Sequence, residues 1–410
     1  MPSSRSLIWR YYLFRVTNTS GFFLPVATIF LRDKGFGIEF IGVAYAVYAF
    51  AVLLVEVPSG YLGDWLGRRP SLAIGSGVRA LVLGVYPFLQ TEAAFLAIHV
   101  FWAVGRSFRS GTEDAWLYEI LQARFDESEF ARTQSRGSVV ELVTDAVTAI
   151  LGGVLYTMNV AFPFVGTAAI AALGIPVLFT FPRIDRYGND SGASPEETPT
   201  LTVRRALEIL RLQTQRPNVR WFVLYASLFY SLFVVTRIYE QPALDTVGVP
   251  VAGFGVLYAG FKLVSALAAS TVGWLTDTFD TSTIFLALIP LYGLAYLSLS
   301  LAPLLVLPVL FLNRGLNTII GPIRNQYLND RLDNVGRATV LSGASMVLAL
   351  LGGIARLIAG WGTKQFGPVG FLPWAGVSLM LAAGVLWVLV SPVRVPDRPS
   401  RDTTAPTTTD

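Results

Sequence analysis

Three long stretches of this chain carry no ionisable side chain: between Asp145 and Arg183, between Asp280 and Arg314, and between Lys364 and Arg394. Each exceeds the roughly 20 apolar residues that cross a hydrocarbon core. Each is also punctuated by Gly and Pro, so each reads as helices turning back through a bilayer. The whole chain agrees, being 53% hydrophobic and 14% charged, where soluble proteins carry about 25% charged residues. A chain so poor in charge cannot cover a water-facing surface, which excludes a soluble enzyme, a disordered chain and a nucleic-acid binder.

The apolar pattern predicts spans near 7–30, 38–62, 71–90, 93–120, 137–157 and 162–181, then 219–242, 252–275, 282–302, 304–328, 338–361 and 368–391. The order is six, a gap, six. It divides the chain into a first six-helix bundle (1–182), a central loop (183–218), a second bundle (219–392) and a polar tail (393–410). Within the central loop Val203, Ala206, Leu207 and Leu210 share a helical face while Arg204, Glu208 and Arg211 lie elsewhere, which predicts an amphipathic helix on the membrane surface, with a solvated linker as the alternative. The tail is rich in Thr, Pro and Asp and reads as disordered. Residues 1–10 lack the apolar core and cleavage site of a secretory signal, so the first apolar stretch reads as a retained span.

Orientation follows from the basic residues, which are held on the cytoplasmic side. With both termini cytoplasmic, the inner loops and tail carry Arg5, Arg68, Arg69, Arg124, Arg132, Arg136, Arg331, Arg337, Arg394, Arg398 and Arg401, and the outer loops only Arg32, Lys34 and Lys364. Eleven against three, with the central loop left out, predicts a multi-pass protein of the plasma membrane. The formal charge of +4 is mainly a record of that topology.

The two halves echo each other. Ala149-Ile-Leu-Gly152-Gly153-Val-Leu in span 5 matches Ala349-Leu-Leu-Gly352-Gly353-Ile-Ala in span 11, and Gly60-Tyr-Leu-Gly-Asp64 after span 2 matches Gly273-Trp-Leu-Thr-Asp277 after span 8. Corresponding positions in two halves are the mark of a duplicated transporter. The stretch Gly60-Tyr-Leu62-Gly-Asp64-Trp-Leu-Gly67-Arg68-Arg69 resembles the signature G-x-L-x-D-x-x-G-R-R of the major facilitator superfamily, in the loop between spans 2 and 3 where that family carries it. The resemblance implies an all-α integral membrane fold of twelve helices in two pseudo-symmetric six-helix bundles. It also implies a cytoplasmic latch formed by Gly60, Leu62, Asp64, Gly67, Arg68 and Arg69. Glu56-Val-Pro58-Ser-Gly60 and Ser110-Gly111-Thr-Glu113-Asp114 look like a prokaryotic efflux-like subgroup. In the second half the latch is degenerate, because Asp280 stands where Gly67 stands in the first. The antiporter motif of span 5 is incomplete, since Thr148-Ala149 replace its Gly-Pro.

A charge at the bilayer centre costs about 2.5–3.5 kcal/mol on insertion scales, so charges inside spans are expected to face a cavity or a partner. They are Arg15, Arg106, Arg109, Arg237, Lys262, Arg314 and Arg356 against Glu113, Asp114, Glu141, Asp145 and Glu240. With Asn18 and Asn317, the basic residues and Glu240 are the candidates for the substrate cavity. Glu113, Asp114, Glu141 and Asp145 form an expected carboxylate cluster, in which mutual repulsion at low dielectric favours retention of a proton. They are the proton-coupling candidates, with neutralisation by Arg106 and Arg109 as the structural alternative. The lone His99 is expected to be a packing residue.

These features predict a secondary transporter, working as a monomer, that exports a small organic or amphiphilic solute in a proton-coupled cycle. Uptake or facilitated passage of an organic anion is the alternative within transport, and a non-transporting receptor or scaffold the alternative outside it. The excess of buried positive charge leans toward anionic, zwitterionic or amphiphilic solutes. With no cysteine and one histidine no metal centre is expected, and without a G-x-x-x-x-G-K-[ST] loop no nucleotide cofactor is expected either.

Overall fold

The computed structural model describes residues 4–110, 112–124, 129–182, 217–331 and 337–393. The surface helix expected in the central loop and the polar tail lie outside these, as does the side chain of Asp64. The described residues are all-α. In the first half the helices are α1 (Ser4–Thr17), α2 (Ala27–Asp33), α3 (Ile38–Leu66), α4 (Arg68–Val85), α5 (Glu92–Arg109), α6 (Thr112–Arg124), α7 (Glu129–Met158) and α8 (Phe162–Phe179). In the second half they are α9 (Pro217–Thr246), α10 (Val251–Thr278), α11 (Thr281–Ser298), α12 (Val306–Asn329) and α13 (Arg337–Val390).

Among the described residues nine helices are long and apolar enough to cross a membrane by length and composition. The other three of twelve spans are accounted for by breaks. The apolar part of α13 runs 51 residues, about 76 Å at 1.5 Å per residue, more than twice a ~30 Å hydrocarbon core. It is two spans joined at Gly367, whose φ of 75° lies in the left-handed region that glycine alone enters freely.

Spans 1 and 4, expected to be continuous, are both broken. Span 1 stops at Thr17 and resumes as α2 at Ala27. The run Thr17-Asn-Thr-Ser-Gly21 competes with its own backbone for hydrogen bonds, and Pro25 supplies no N–H. Span 4 is divided at Ser110, which is extended (φ −58°, ψ 127°), between α5 and α6. The latch stretch differs from expectation in the other direction: α3 continues in helix to Leu66, and the turn is reduced to Gly67 at φ 87°.

The two halves meet along α3 against α13 and α7 against α10, with α2 touching α9. In spans these are 2 with 11 and 5 with 8, the pairs that a pseudo-two-fold axis exchanges. The second glycine of each repeated pair sits on these seams, while Gly152 and Gly352 pack within their own halves, against Phe22 and Tyr230. A Cβ on Gly153 would come within 2.7 Å of the Ala252 carbonyl oxygen in α10, and one on Gly353 within 2.6 Å of the Phe50 ring in α3. Leu81, Leu173, Leu294 and Val388 stand exposed on the outside, as a lipid-facing belt requires.

We call the side where α1 begins and α13 ends the termini face and the opposite side the distal face. Near the distal face the halves are tied by Arg32 to Asp245 at 3.0 Å and by Lys364 to Glu39 at 2.5 Å. Gln241 of α9 completes the closure. Its Oε1 accepts from the backbone N–H groups of Thr28 (2.8 Å) and Ile29 (3.1 Å), and its Nε2 donates to the Leu24 carbonyl at 2.7 Å.

Candidate functional site

Between the halves lies a cavity of about 780 Å³, reaching from Thr28 and Gln241 at its distal floor to Glu56, Ser110 and Ser345 toward the termini face. The break in span 1 organises its first-half wall. A helix broken at membrane depth must have its freed backbone groups satisfied by neighbours, and two buried side chains do this. Arg79 of α4 donates to the Asn18 carbonyl at 2.8 Å, to the Thr19 carbonyl, and to Ser20 Oγ at 3.0 Å. Asp145 of α7 accepts from Ser20 N–H at 2.9 Å and from the Thr19 hydroxyl at 2.8 Å, both at Oδ1.

Asp145 also reaches across the halves. Its Oδ2 lies 2.8 Å from Lys262 Nζ on α10, so one carboxylate holds the broken segment of span 1 with one oxygen and the second half with the other.

Arg15, at the end of α1, is the hub of a second cluster. It pairs with Glu113 of α6 at 2.7 Å and with Glu141 of α7. Glu113 is held further by Asn18 Nδ2 at 3.0 and 3.1 Å and by Arg109 at 3.7 Å. Glu141 is less restrained: Arg15 is its one ion-pair partner among the described residues, and its side chain is 30% exposed against 15% for Glu113. Asp114, expected in this group, is one residue round the helix and exposed, and Asp145 stands apart on the span 1 break. The structure therefore brings Glu113 and Glu141 together and divides the expected four-carboxylate cluster.

In the second half Glu240 of α9 is buried and takes both arms of its carboxylate to Arg314 of α12, at 2.8 and 2.7 Å. It also accepts from the Tyr258 hydroxyl. The Arg314 guanidinium lies 5.2 Å from the Phe261 ring centre, within cation–π range. Arg106, Arg237 and Arg356 line the cavity with Asn18, Arg109, Glu113 and Glu141, whereas Arg15, Glu240, Lys262 and Arg314, also expected there, are engaged in ion pairs and are not part of its wall, nor is Asn317, half-buried on α12.

In the latch stretch Arg68 lies 3.4 Å from Glu119 and Arg69 donates to the Phe179 carbonyl at 2.8 Å, both within the first half. Leu62 is exposed. His99 is fully buried, with Nδ1 donating to the Phe95 carbonyl at 2.7 Å and the ring packed against Tyr45, Tyr86 and Trp102, a packing role.

Sequence reasoning missed Arg79 and Gln241. The rule that flags a lone charge in an apolar span applies equally to Arg79. Gln241, being uncharged, gives no such signal.

Comparison with known proteins places this architecture. The chain is 23% identical over 381 residues to the uncharacterized MFS-type transporter YxaM of Bacillus subtilis (strain 168), covering 91% of this chain and 93% of that one. In fold it is similar to the nucleoside transporter NupG (TM-score 0.75, 12% identity, 94% of this chain and 97% of that one). It is also similar to a D-xylose-proton symporter (TM-score 0.68, 15% identity, 94% and 97%). Solutes as unlike as those two named leave the substrate to be argued from this chain's own cavity. The family model of the Major Facilitator Superfamily matches residues 12–346, and with twelve spans, paired halves and a central cavity in place, this chain belongs to that superfamily: it is a membrane transporter and not an enzyme.

Proposed function

We propose that the chain is a proton-coupled exporter of a small organic solute, acting as a monomer in the plasma membrane with both termini cytoplasmic. The excess of Arg on the termini face supports that orientation. With the distal seams closed and the cavity reaching toward the termini face, this state is then open to the cytoplasm, one end of an alternating-access cycle.

One observation carries the coupling. Glu141 shares the Arg15 guanidinium with Glu113, while Glu113 keeps Asn18 and Arg109 as further partners. Of the two, Glu141 is the more exposed to the cavity and loses less on protonation. A proton on Glu141 releases one arm of Arg15 and adds a positive charge to the wall, altering both the field felt by a solute and the hold on α1. Asp145, joined to Lys262 across the seam, is assigned the complementary role of a lock between the halves.

The test begins by choosing a solute through thermal stabilisation of the purified protein with anionic, cationic and neutral compounds. In proteoliposomes an acidic exterior is then expected to drive preloaded solute out, and Glu141→Gln to abolish that drive while leaving downhill exchange. Solute accumulation under the same gradient would instead assign symport. Full gradient-driven flux in Glu141→Gln would remove Glu141 from the coupling.

A further inference from the structure

Each charge in this cavity can be asked whether a partner inside the protein explains it. On its wall Arg79 is accounted for by the carbonyls of the span 1 break and Arg109 by Glu113, and the charges outside the wall are paired as well, Arg15 with Glu113 and Glu141, Arg314 with Glu240 and Lys262 with Asp145. Arg106 of α5, Arg237 of α9 and Arg356 of α13 remain. All three line the cavity, and among the described residues none is in an ion pair with a carboxylate. Arg356 is the most exposed to this shortage, because its Nε and Nη1 are buried without a hydrogen-bond partner. The carboxylate three residues along α9 from Arg237 is already engaged by Arg314 through both its oxygens.

These three side chains also converge. Arg106 from the first half and Arg237 and Arg356 from the second line the same cavity as Tyr45, Tyr48 and Tyr230. Guanidinium groups at membrane depth without counter-charge are expensive and mark functional sites, and their planar forks match carboxylate, sulfonate and phosphate oxygens. Tyr45, Tyr48 and Tyr230 around them offer hydroxyl donors together with ring surface for an apolar body.

We infer that Arg106, Arg237 and Arg356 form an anion subsite spanning both halves of the cavity, and that the transported solute carries a carboxylate, sulfonate or phosphate group joined to an apolar or aromatic body. This rests on reading the cavity as the solute path. It explains why the subsite draws on both halves: an anion bridging Arg106 to Arg237 and Arg356 shields like charges that oppose closure of the cavity around it. Glu56 faces the same cavity, but eight residues along α3 from Tyr48, about 12 Å nearer the termini face.

The absence of cysteine allows a test that needs neither a known solute nor a proton gradient. Val52→Cys on α3, one turn beyond Tyr48, and Ala349→Cys on α13, two turns before Arg356, place single thiols on the cavity wall. In purified full-length protein each is reacted with anionic sulfonatoethyl methanethiosulfonate and with cationic trimethylammonioethyl methanethiosulfonate. The ratio of the two rates, divided by that for free mercaptoethanol, reads the local potential. We expect a normalised ratio of about tenfold in favour of the anion, a difference of ~1.4 kcal/mol. It should fall about threefold with Arg237→Gln or Arg356→Gln in the same background. A ratio at or below one at both positions overturns the inference, as does a ratio that neither substitution moves; with only one folded cysteine variant, that variant decides alone. Because no flux is measured, failure of the coupling role of Glu141 leaves this result untouched, and the reverse.

Discussion

The Asp145–Lys262 bond ties the second half to the break in span 1, and removing its charge should loosen the closed distal face. Lys262 Nζ lies 2.8 Å from Asp145 Oδ2, with side-chain exposures of 37% and 9%. The gross Coulomb attraction at that distance and an effective dielectric of ~20 is about 6 kcal/mol, but desolvation cancels much of it. Removing one partner of a buried pair costs about 3–5 kcal/mol, and of an exposed pair about 0.2–1 kcal/mol. With one partner buried and the other more than a third exposed, about 1–2 kcal/mol is the reasoned net value, a factor of roughly 5–30 in a two-state ratio. Asp145→Asn isolates this term, because its remaining carbonyl oxygen can still accept from Thr19 and Ser20 as Oδ1 does. Lys262→Gln removes the same charge pair from the other side.

The assay uses spin labels on Glu92→Cys and Ser300→Cys, exposed near the distal ends of the first and second halves. Pulsed dipolar measurement gives the distance distribution between them. Asp145→Asn and Lys262→Gln should each raise the ratio of long to short separations by roughly 5–30-fold, and the double variant should add little to either alone. Distributions that superimpose on the parent's in both single variants would refute the lock.

Two further outcomes follow from the same geometry. Gln241→Leu strips acceptors from the Thr28 and Ile29 N–H groups, each worth about 1–3 kcal/mol when buried and unpaired, so the same label pair should report distal opening and the melting temperature should drop by several degrees. Arg79→Leu leaves the Asn18 and Thr19 carbonyls without their donor at membrane depth; the yield of monodisperse protein on size-exclusion chromatography should fall several-fold. Arg79→Lys, which retains a charge and part of the donor set, should recover part of it.

How far the sequence carried the reading depended on whether a signal was local or relational. The cost of an apolar residue in water, or of a charge in lipid, is incurred residue by residue, so the spans, the division into halves and most of the buried charges were legible from spacing alone. The Gly152-Gly153 and Gly352-Gly353 repeats were legible as packing positions, and they are close-packed, Gly153 and Gly353 at the seams and Gly152 and Gly352 within their own halves. Helix breaks were less legible. Span 1 looks continuous by hydropathy, and its unwinding at Asn18–Phe23 is stable only because Arg79 and Asp145, far away in sequence, satisfy the freed groups. Pairing was not legible at all: Arg15 joining Glu113 to Glu141, and Asp145 reaching Lys262 across 117 positions, depend on how helices cross, which periodicity within one helix does not encode.

That relational layer gives residues 15–20 their importance. Arg15 grips Glu113 and Glu141, Asn18 grips Glu113, and Thr19 and Ser20 grip the same Asp145 that holds Lys262. The proposed proton site and the proposed lock are thus attached to one short segment where α1 ends, held past Thr17 by single turn bonds from the Asn18 and Thr19 N–H groups to the Arg15 and Val16 carbonyls in place of a continuing helix. A chain of contacts is only a route; coupling requires an element with two arrangements that both sites bias. If the broken segment is that element, Glu141→Gln, which mimics the protonated state and touches neither Asp145 nor Lys262, should change the Glu92–Ser300 distance distribution in the same sense as Asp145→Asn. The combined variant should then fall short of the sum of the two. Strict additivity would mean that the proton site and the lock act independently, and that the unwound segment of span 1 serves the cavity wall alone.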